Sequence, residues 1–259
     1  APIREKRLSR EEEIEYLKQK GIAGNWEKAA YSINAGIWGT SIGGKETLAA
    51  KEPLPEAAYP TPLSVDAQAS EVVCLHFEHG ELKGIDQEFF IRPIEAIQAL
   101  AARAKPYAVG RNMHTGDTII GIKGRIGFEA AAALITIGAH HTLEKHTLTK
   151  WQMYWKDQLA SWYGMFLHEA QYFEPVMRQI ETFLEQTQAH VSGKAWVKLM
   201  PYHFEIQGIE SASDLMNSSF GSYGEMNNAW TGEDAKGFIK LFANPLQLYY
   251  SVHPDERNL

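Results

Sequence analysis

A single cysteine, Cys74, stands in 259 residues, so no disulfide can close within the chain, and a scaffold stapled for an oxidising compartment is excluded. Long apolar runs are equally scarce. None approaches the roughly 20 residues a helix needs to cross a bilayer, and the opening APIREKRLSREEEIEYLK has neither the apolar stretch nor the cleavage site of a signal peptide. These absences lead to the expectation of a cytoplasmic protein with no membrane partner. Positive charge is also in deficit: 25 Lys and Arg face 32 Asp and Glu, for a net charge of −7. That balance lacks the footprint of phosphate-backbone binding and predicts no nucleic-acid partner. G-x-S-x-G elbows, HExxH pairs and Cys-His frameworks are all missing, so a serine-hydrolase or zinc-protease mechanism has no anchor in this sequence.

What is present is ordinary globular composition, 44% hydrophobic and 22% charged, enough to bury one large core or two modest ones. The first helix is signalled by Ser9 as N-cap, Glu12 three residues later as a capping box, and Gly21 at the end. Residues 24–62 are punctuated by glycine and proline with little periodicity and are expected to form an ordered loop or connection. Alternation of Val73, Leu75 and Phe77 predicts a strand that turns at His79-Gly80 into ELKGID. RPIEAIQALAARAKP is expected as a helix, TGDTIIGIKGRIGFE as strand and turn, and EAAAALITIGAHHTLEKH as a buried helix. From Leu148 to Gln188 aromatics and leucines recur at helical spacing, from Trp151 to Phe183. The segments KAWVKLMPY and HFEIQGI follow as strands, and a final helix breaks near Pro245. Strand pairs grouped apart from helices point to an α+β fold.

Several patterns resemble chemistry and have plainer explanations. GTSIGGKET, residues 39–47, matches a Walker A loop except that Glu46 replaces the magnesium-binding hydroxyl, where its carboxylate would repel phosphate. His140, His141, Glu144 and His146 form the densest set of ligand-type side chains, at spacing poor for zinc, and are expected to be ordinary helix residues rather than a metal site. Cys74 sits on an apolar strand and reads as a small core residue. The aromatic stripe from Trp151 to Tyr172 could stack bases, but its helical spacing favours core or subunit contact. Two glycine-rich segments, YSINAGIWGTSIGGKET and GRNMHTGDTIIGIKGRIGFEAAAALI, mix glycine with hydroxyl and charged groups, as where backbone approaches a small ligand closely.

Six stretches, REEEIEYLKQKGI, SINAGIWGTSI, GIDQEF, GIKGRIGFE, AHHTLEKHTLTK and GSYGEMNNAWTGEDAKGFIKL, together make the chain resemble the C-terminal, synthetase portion of the argininosuccinate synthase family, in a divergent bacterial form. The resemblance implies an antiparallel sheet with long helices and a C-terminal oligomerisation helix. It divides the chain into a linker helix or the tail of a nucleotide-binding domain at 1–24, a synthetase domain at 25–231 and an oligomerisation segment at 232–259. It implies an ATP-dependent carbon–nitrogen ligase of arginine biosynthesis, a homotetramer that joins citrulline to aspartate. ATP and its Mg²⁺ would be held mainly by a domain absent from these residues, so the chain alone is expected to be an inactive portion. A stand-alone binding or assembly module with the same fold is the alternative. By position, Ser32 and Ser41 match the family's citrulline-binding serines. Gly116 and Phe128 fall where the family has a glutamate and a tyrosine, with Asp117 as a neighbouring substitute carboxylate. Two expectations follow from the loss of that glutamate: either Asp117 supplies the carboxylate for citrulline, or an N-acylated citrulline, whose nitrogen bears no positive charge, is accepted.

Overall fold

The computed structural model describes residues 5, 8–24, 31–64, 67, 69–217 and 229–258, in two compact units, Ala1–Ser213 and Asp214–Leu259. Helix α1 (Arg10–Gln19) begins as its sequence predicts: the Ser9 hydroxyl accepts the Glu12 amide at 3.2 Å, and the Glu12 carboxylate accepts the Ser9 amide at 2.6 Å. There follow β1 (Ser32–Gly36), β2 (Gly39–Gly43), β3 (Glu71–Glu78), β4 (Glu81–Ile85), β5 (Glu88–Phe89) and α2 (Pro93–Ala104). The first unit continues with β6 (Arg111–Asp117), β7 (Lys123–Glu129), α3 (Ala131–Thr147), α4 (Lys150–His168), α5 (Pro175–Thr187), β8 (Gly193–Met200) and β9 (His203–Glu210).

The strands form two antiparallel sheets, so the α+β class expected from sequence is the one observed. The larger has the order β5-β4-β3-β8-β9 and the smaller β1-β2-β7-β6. In the larger sheet Val73, Leu75 and Phe77 alternate onto the same face as Ala195, Val197 and Leu199, with Val73 opposite Val197 and Leu75 opposite Ala195. Against this face pack Ile97 and Leu100 of α2 and Ile135, Ala139 and Leu143 of α3, forming the main core. The hairpin corner is where the sequence puts it, His79 at φ 48° and Gly80 at φ 81° giving the primed turn that matches strand twist. Cys74 lies between the core residues of β3 and so points to the opposite face, half-buried, which corrects its assignment to the core. Burial, and after it the charge of Asp86, pushes its thiol pKa up, away from a reactive thiolate.

Residues 24–62, expected to be loop, contain the β1–β2 hairpin. Its period-2 signal is weak because one face carries serine, asparagine and glycine instead of apolar side chains. The other face buries Ile42 against Leu54 and Ala58, with Tyr59 and Met113 around them. Arg125 of β7 holds this covering loop by donating from one guanidinium nitrogen to the carbonyls of Glu46, Ala49 and Glu52. The glycines here serve the protein's own backbone. A Cβ on Gly39, at φ +146°, would stand 2.7 Å from the Cα of Ala130 and the carbonyl of Glu129.

The long helical region divides into α4 and α5 at a break where Ala170 takes φ 59° and Pro175 opens the next helix. None of the 19 residues of α4 is buried, and Trp151, Trp155 and Trp162 are each more than half exposed, so the aromatic stripe does not fill this unit's core. One charged group anchors α4. Lys156 donates to Glu144 of α3, whose side chain is 1% exposed. Gln188 donates to the other carboxylate oxygen at 2.9 Å, and His140 and His141 stand at 3.7 and 3.4 Å. The cluster is thus a buried ion pair between helices, and among the described residues no group of three His, Cys, Asp or Glu is arranged to hold a metal. Burial alone would lower the Lys156 pKa, but hydrogen bonds and attraction from Glu144 and Asp157 outweigh it and leave it raised. No helix of the described residues is long and apolar enough to cross a membrane.

In the second unit Thr231 caps α6 (Gly232–Phe242) through Asp234, and Pro245 lies in the first turn of α7 (Asn244–Val252). Phe238 and Phe242 stack with centroids 5.3 Å apart on α6, and both are exposed, as are Leu246 and Leu248 of α7.

Two consequences are measurable by urea denaturation. Gly39→Ala should cost about 1–3 kcal/mol because the added methyl meets backbone, whereas Gly164→Ala in α4, where nothing lies within 4 Å of the added atom, should stabilise by roughly 0.5–1 kcal/mol. Glu144→Ala should cost about 3–5 kcal/mol, because it leaves the Lys156 ammonium without its buried partner. With the Lys156 pKa raised in the fold, its contribution is complete below the ordinary lysine value of 10.5 and is lost as pH climbs beyond it, so docking of α4 should loosen only under strongly alkaline conditions.

Candidate functional site

The pleat of the small sheet decides which side chains meet. Asn34, Ser41, Phe128 and Asn112 pair directly across β1, β2, β7 and β6, forming one continuous row. Since alternate residues share a face, Ser32 joins this row from β1, Ile126 and Gly124 from β7, and His114 and Gly116 from β6. All four site residues expected from sequence therefore lie on one face. Ser41 and Phe128 are immediate cross-strand neighbours, and Ser32 stands diagonally beside Ser41. Gly116 is on the far edge strand, three strand spacings or roughly 14 Å from β1. Sequence reasoning missed Asn34, Asn112 and His114, although stepping by two from Ser32 along β1 and from Gly116 along β6 reaches them.

This face is open. Ser32, Asn34, Asn112, His114 and Gly116 are exposed, and Ser41, Ile126 and Phe128 are half-buried. The hydroxyls of Ser32 and Ser41 make no hydrogen bond among the described residues; neither caps a turn, and both are free to donate to and accept from a ligand. Asn112 turns its carbonyl back onto the Met113 amide at 2.8 Å, which leaves its NH₂ group outward. The His114 ring meets Phe128 edge-on, with centroids 5.1 Å apart.

Asp117 does not join them. As the strand neighbour of Gly116 it points to the opposite face, where its carboxylate accepts from Lys123 at 2.7 Å, so it is no substitute for a carboxylate at position 116. Glu129, next to Phe128, likewise turns away and faces the Arg111 guanidinium at 3.4 Å.

Beside the hairpin turn, a cleft of about 260 Å³ is lined by Ile37, Trp38, Thr61, Lys105, Glu129 and the first residues of α3. The neighbouring GTSIGGKET segment does not suit a triphosphate. Gly39–Gly43 is strand β2, Lys45–Leu48 is a single 3₁₀ turn, and the Tyr31 ring fills the space beside Gly44. The Glu46 carboxylate accepts the Tyr31 hydroxyl at 3.3 Å in the position where a phosphate loop needs a metal-binding hydroxyl.

With the site in place, likeness to known proteins becomes informative. The model of the Arginosuccinate synthase C-terminal domain matches residues 31–249, which takes in both sheets and the helices after them. Argininosuccinate synthases from Dictyoglomus thermophilum and Methanocaldococcus jannaschii are each 34% identical, over 253 and 250 residues, covering 96% of this chain and 62% of theirs. The one from Pyrococcus furiosus is 33% identical over 254 residues, 97% of this chain and 61% of its own length. The chain thus spans a little over three fifths of the relatives it matches. Both the family match and the alignment over nearly the whole chain lead to one conclusion: this chain belongs to the argininosuccinate synthase family, corresponding to its C-terminal domain.

Proposed function

We propose that this chain is the citrulline-binding and assembly portion of an ATP-dependent carbon–nitrogen ligase of arginine biosynthesis, acting in the cytoplasm. In that reaction the ureido oxygen of citrulline attacks the α-phosphorus of ATP and pyrophosphate leaves. The α-amine of aspartate then attacks the ureido carbon and AMP departs, giving argininosuccinate. Such chemistry requires three charged reactants held in register and phosphate charge stabilised, with no side-chain nucleophile. ATP with Mg²⁺, and the aspartate, would be bound mainly by a nucleotide domain outside these residues, since GTSIGGKET is unsuited to phosphate. The carrying observation is the open face of the small sheet, where the unengaged hydroxyls of Ser32 and Ser41 stand beside Asn34 and Phe128.

A homotetramer is the assembly we propose. Its supports are the unburied aromatic face of α4 and, separately, the exposed Phe238, Phe242, Leu246 and Leu248 of the second unit, since clustered exposed apolar side chains mark interaction surfaces. The absence of polar side chains at Gly116 and Phe128 favours a second reading, a non-catalytic binding or assembly module that kept the fold.

Residues 1–259 alone, given ATP, Mg²⁺, citrulline and aspartate, should form no argininosuccinate, while the polypeptide that includes the nucleotide domain should form it; turnover by the isolated chain would overturn the division of labour. In the active polypeptide Ser41→Ala should raise the citrulline KM by roughly three- to tenfold, the worth of one hydrogen bond, with kcat little changed. Sedimentation should give four copies, and Trp155→Glu with Trp162→Glu should shift the boundary to smaller species.

A further inference from the structure

Among the described residues, the open face of the small sheet carries no acidic side chain. Its donors and acceptors are Ser32, Asn34, Ser41, Asn112 and His114, all without formal negative charge. The carboxylates on the same strands, Asp117 and Glu129, alternate to the opposite face, where Lys123 and Arg111 hold them. A free amino acid laid here would bring an α-ammonium out of water with only neutral dipoles offered by this face, and desolvating a charge without a counter-charge is costly. The same substrate with an amide nitrogen in place of the ammonium has no such requirement.

The face also has room for the substituent that would make that amide. Gly116 and Gly124 are directly opposite one another on β6 and β7, and no atom lies within 4 Å of where a Cβ would stand on either. Two adjoining strands therefore lack side chains at the same level, which leaves a shallow trough bordered by His114, Ile126 and Phe128 along the strands. The His114 imidazole, exposed and without a hydrogen bond among the described residues, flanks this trough, with its ring steadied against Phe128. An acyl carbonyl placed there would find a ring N–H donor, and its carbon chain an aromatic edge.

We propose that the substrate taken by this face is a citrulline acylated on its α-nitrogen by a short acyl group, the acyl group lying over Gly116 and Gly124 beside His114 and Phe128. This rests on the assignment of the face as the citrulline site and names the form of citrulline it takes.

The test is a competition between citrulline and N-acetylcitrulline in the complete ligase, read as the ratio of their kcat/KM values. The expected result is preference for N-acetylcitrulline by roughly tenfold or more, the worth of an unpaired charge against a satisfied amide. Gly116→Glu, which has space for its side chain, should move the ratio toward free citrulline by a comparable factor. His114→Ala should lower kcat/KM for N-acetylcitrulline more than for citrulline. Asp117→Asn, on the other face, should leave the ratio where it was. Equal or better use of free citrulline by the unaltered enzyme overturns this proposal while the ligase assignment stands. A Gly116→Glu enzyme with an unchanged ratio overturns the placement of the acyl group, and turnover of neither compound removes the ligase assignment and this proposal with it.

Discussion

Arg111 holds the architecture of the first unit together. Its side chain is 10% exposed and joins four separate segments: one nitrogen donates to Glu56 at 2.7 Å, another to the carbonyl of Thr61, and the third faces Glu129 at 3.4 Å. Its guanidinium plane lies over Tyr59, 4.3 Å from the ring centroid, and within 5.4 Å of that of Tyr202, in the turn between β8 and β9. A planar cation with five donors can satisfy carboxylate, carbonyl and aromatic faces at once, which a lysine cannot. Through this one side chain the small sheet, the loop over it and the edge of the larger sheet share a fixed geometry.

That constraint explains why the small sheet has two unlike faces. One is closed by residues 44–62, with Ile42 buried against Leu54 and Arg125 and Arg111 pinning the loop at either end. The charged residues of β6 and β7 alternate to this side, Arg111, Arg125 and Glu129 beneath the covering loop and Asp117 paired with Lys123 beyond it, where both are exposed. The other face is left with hydroxyls, amides, one imidazole, glycines and the apolar Ile126 and Phe128. A surface so arranged binds through hydrogen bonds and shape, and it supplies little charge of its own.

The helices follow a comparable logic. α3 is held by the core over its whole length, but α4 rests on few contacts, chiefly the Lys156–Glu144 pair and the Tyr163 hydroxyl donated to Glu181 at 2.7 Å. A buried pair of this kind sets position more than it adds stability, because desolvation offsets much of the attraction. It fixes the angle at which α4 presents its tryptophans outward, so the ion pair within the unit orients an exposed aromatic face.

Much of the fold was legible before any coordinates. The reciprocal cap at Ser9 and Glu12, the His79-Gly80 corner, the alternation of Val73, Leu75 and Phe77 and the break at Pro245 are local signals, decided by residues within a few positions of each other, and sequence states them directly. The serines, Gly116 and Phe128 were legible only through family likeness. That they share one face, while Asp117 does not, follows from strand register, which depends on hydrogen bonds between residues far apart in the chain. The β1–β2 hairpin was read as loop because its open face carries no apolar alternation, and the aromatic stripe of α4 looked equally suited to a core or a neighbour. The four histidine- and glutamate-rich positions of α3 became an ion pair because Lys156 and Gln188 arrive from other helices. Sequence by itself determined most of the elements, their caps and the family likeness; tertiary structure decided the β1–β2 hairpin and which faces were closed and which stayed open, since burial is settled by the partners that folding brings from a distance.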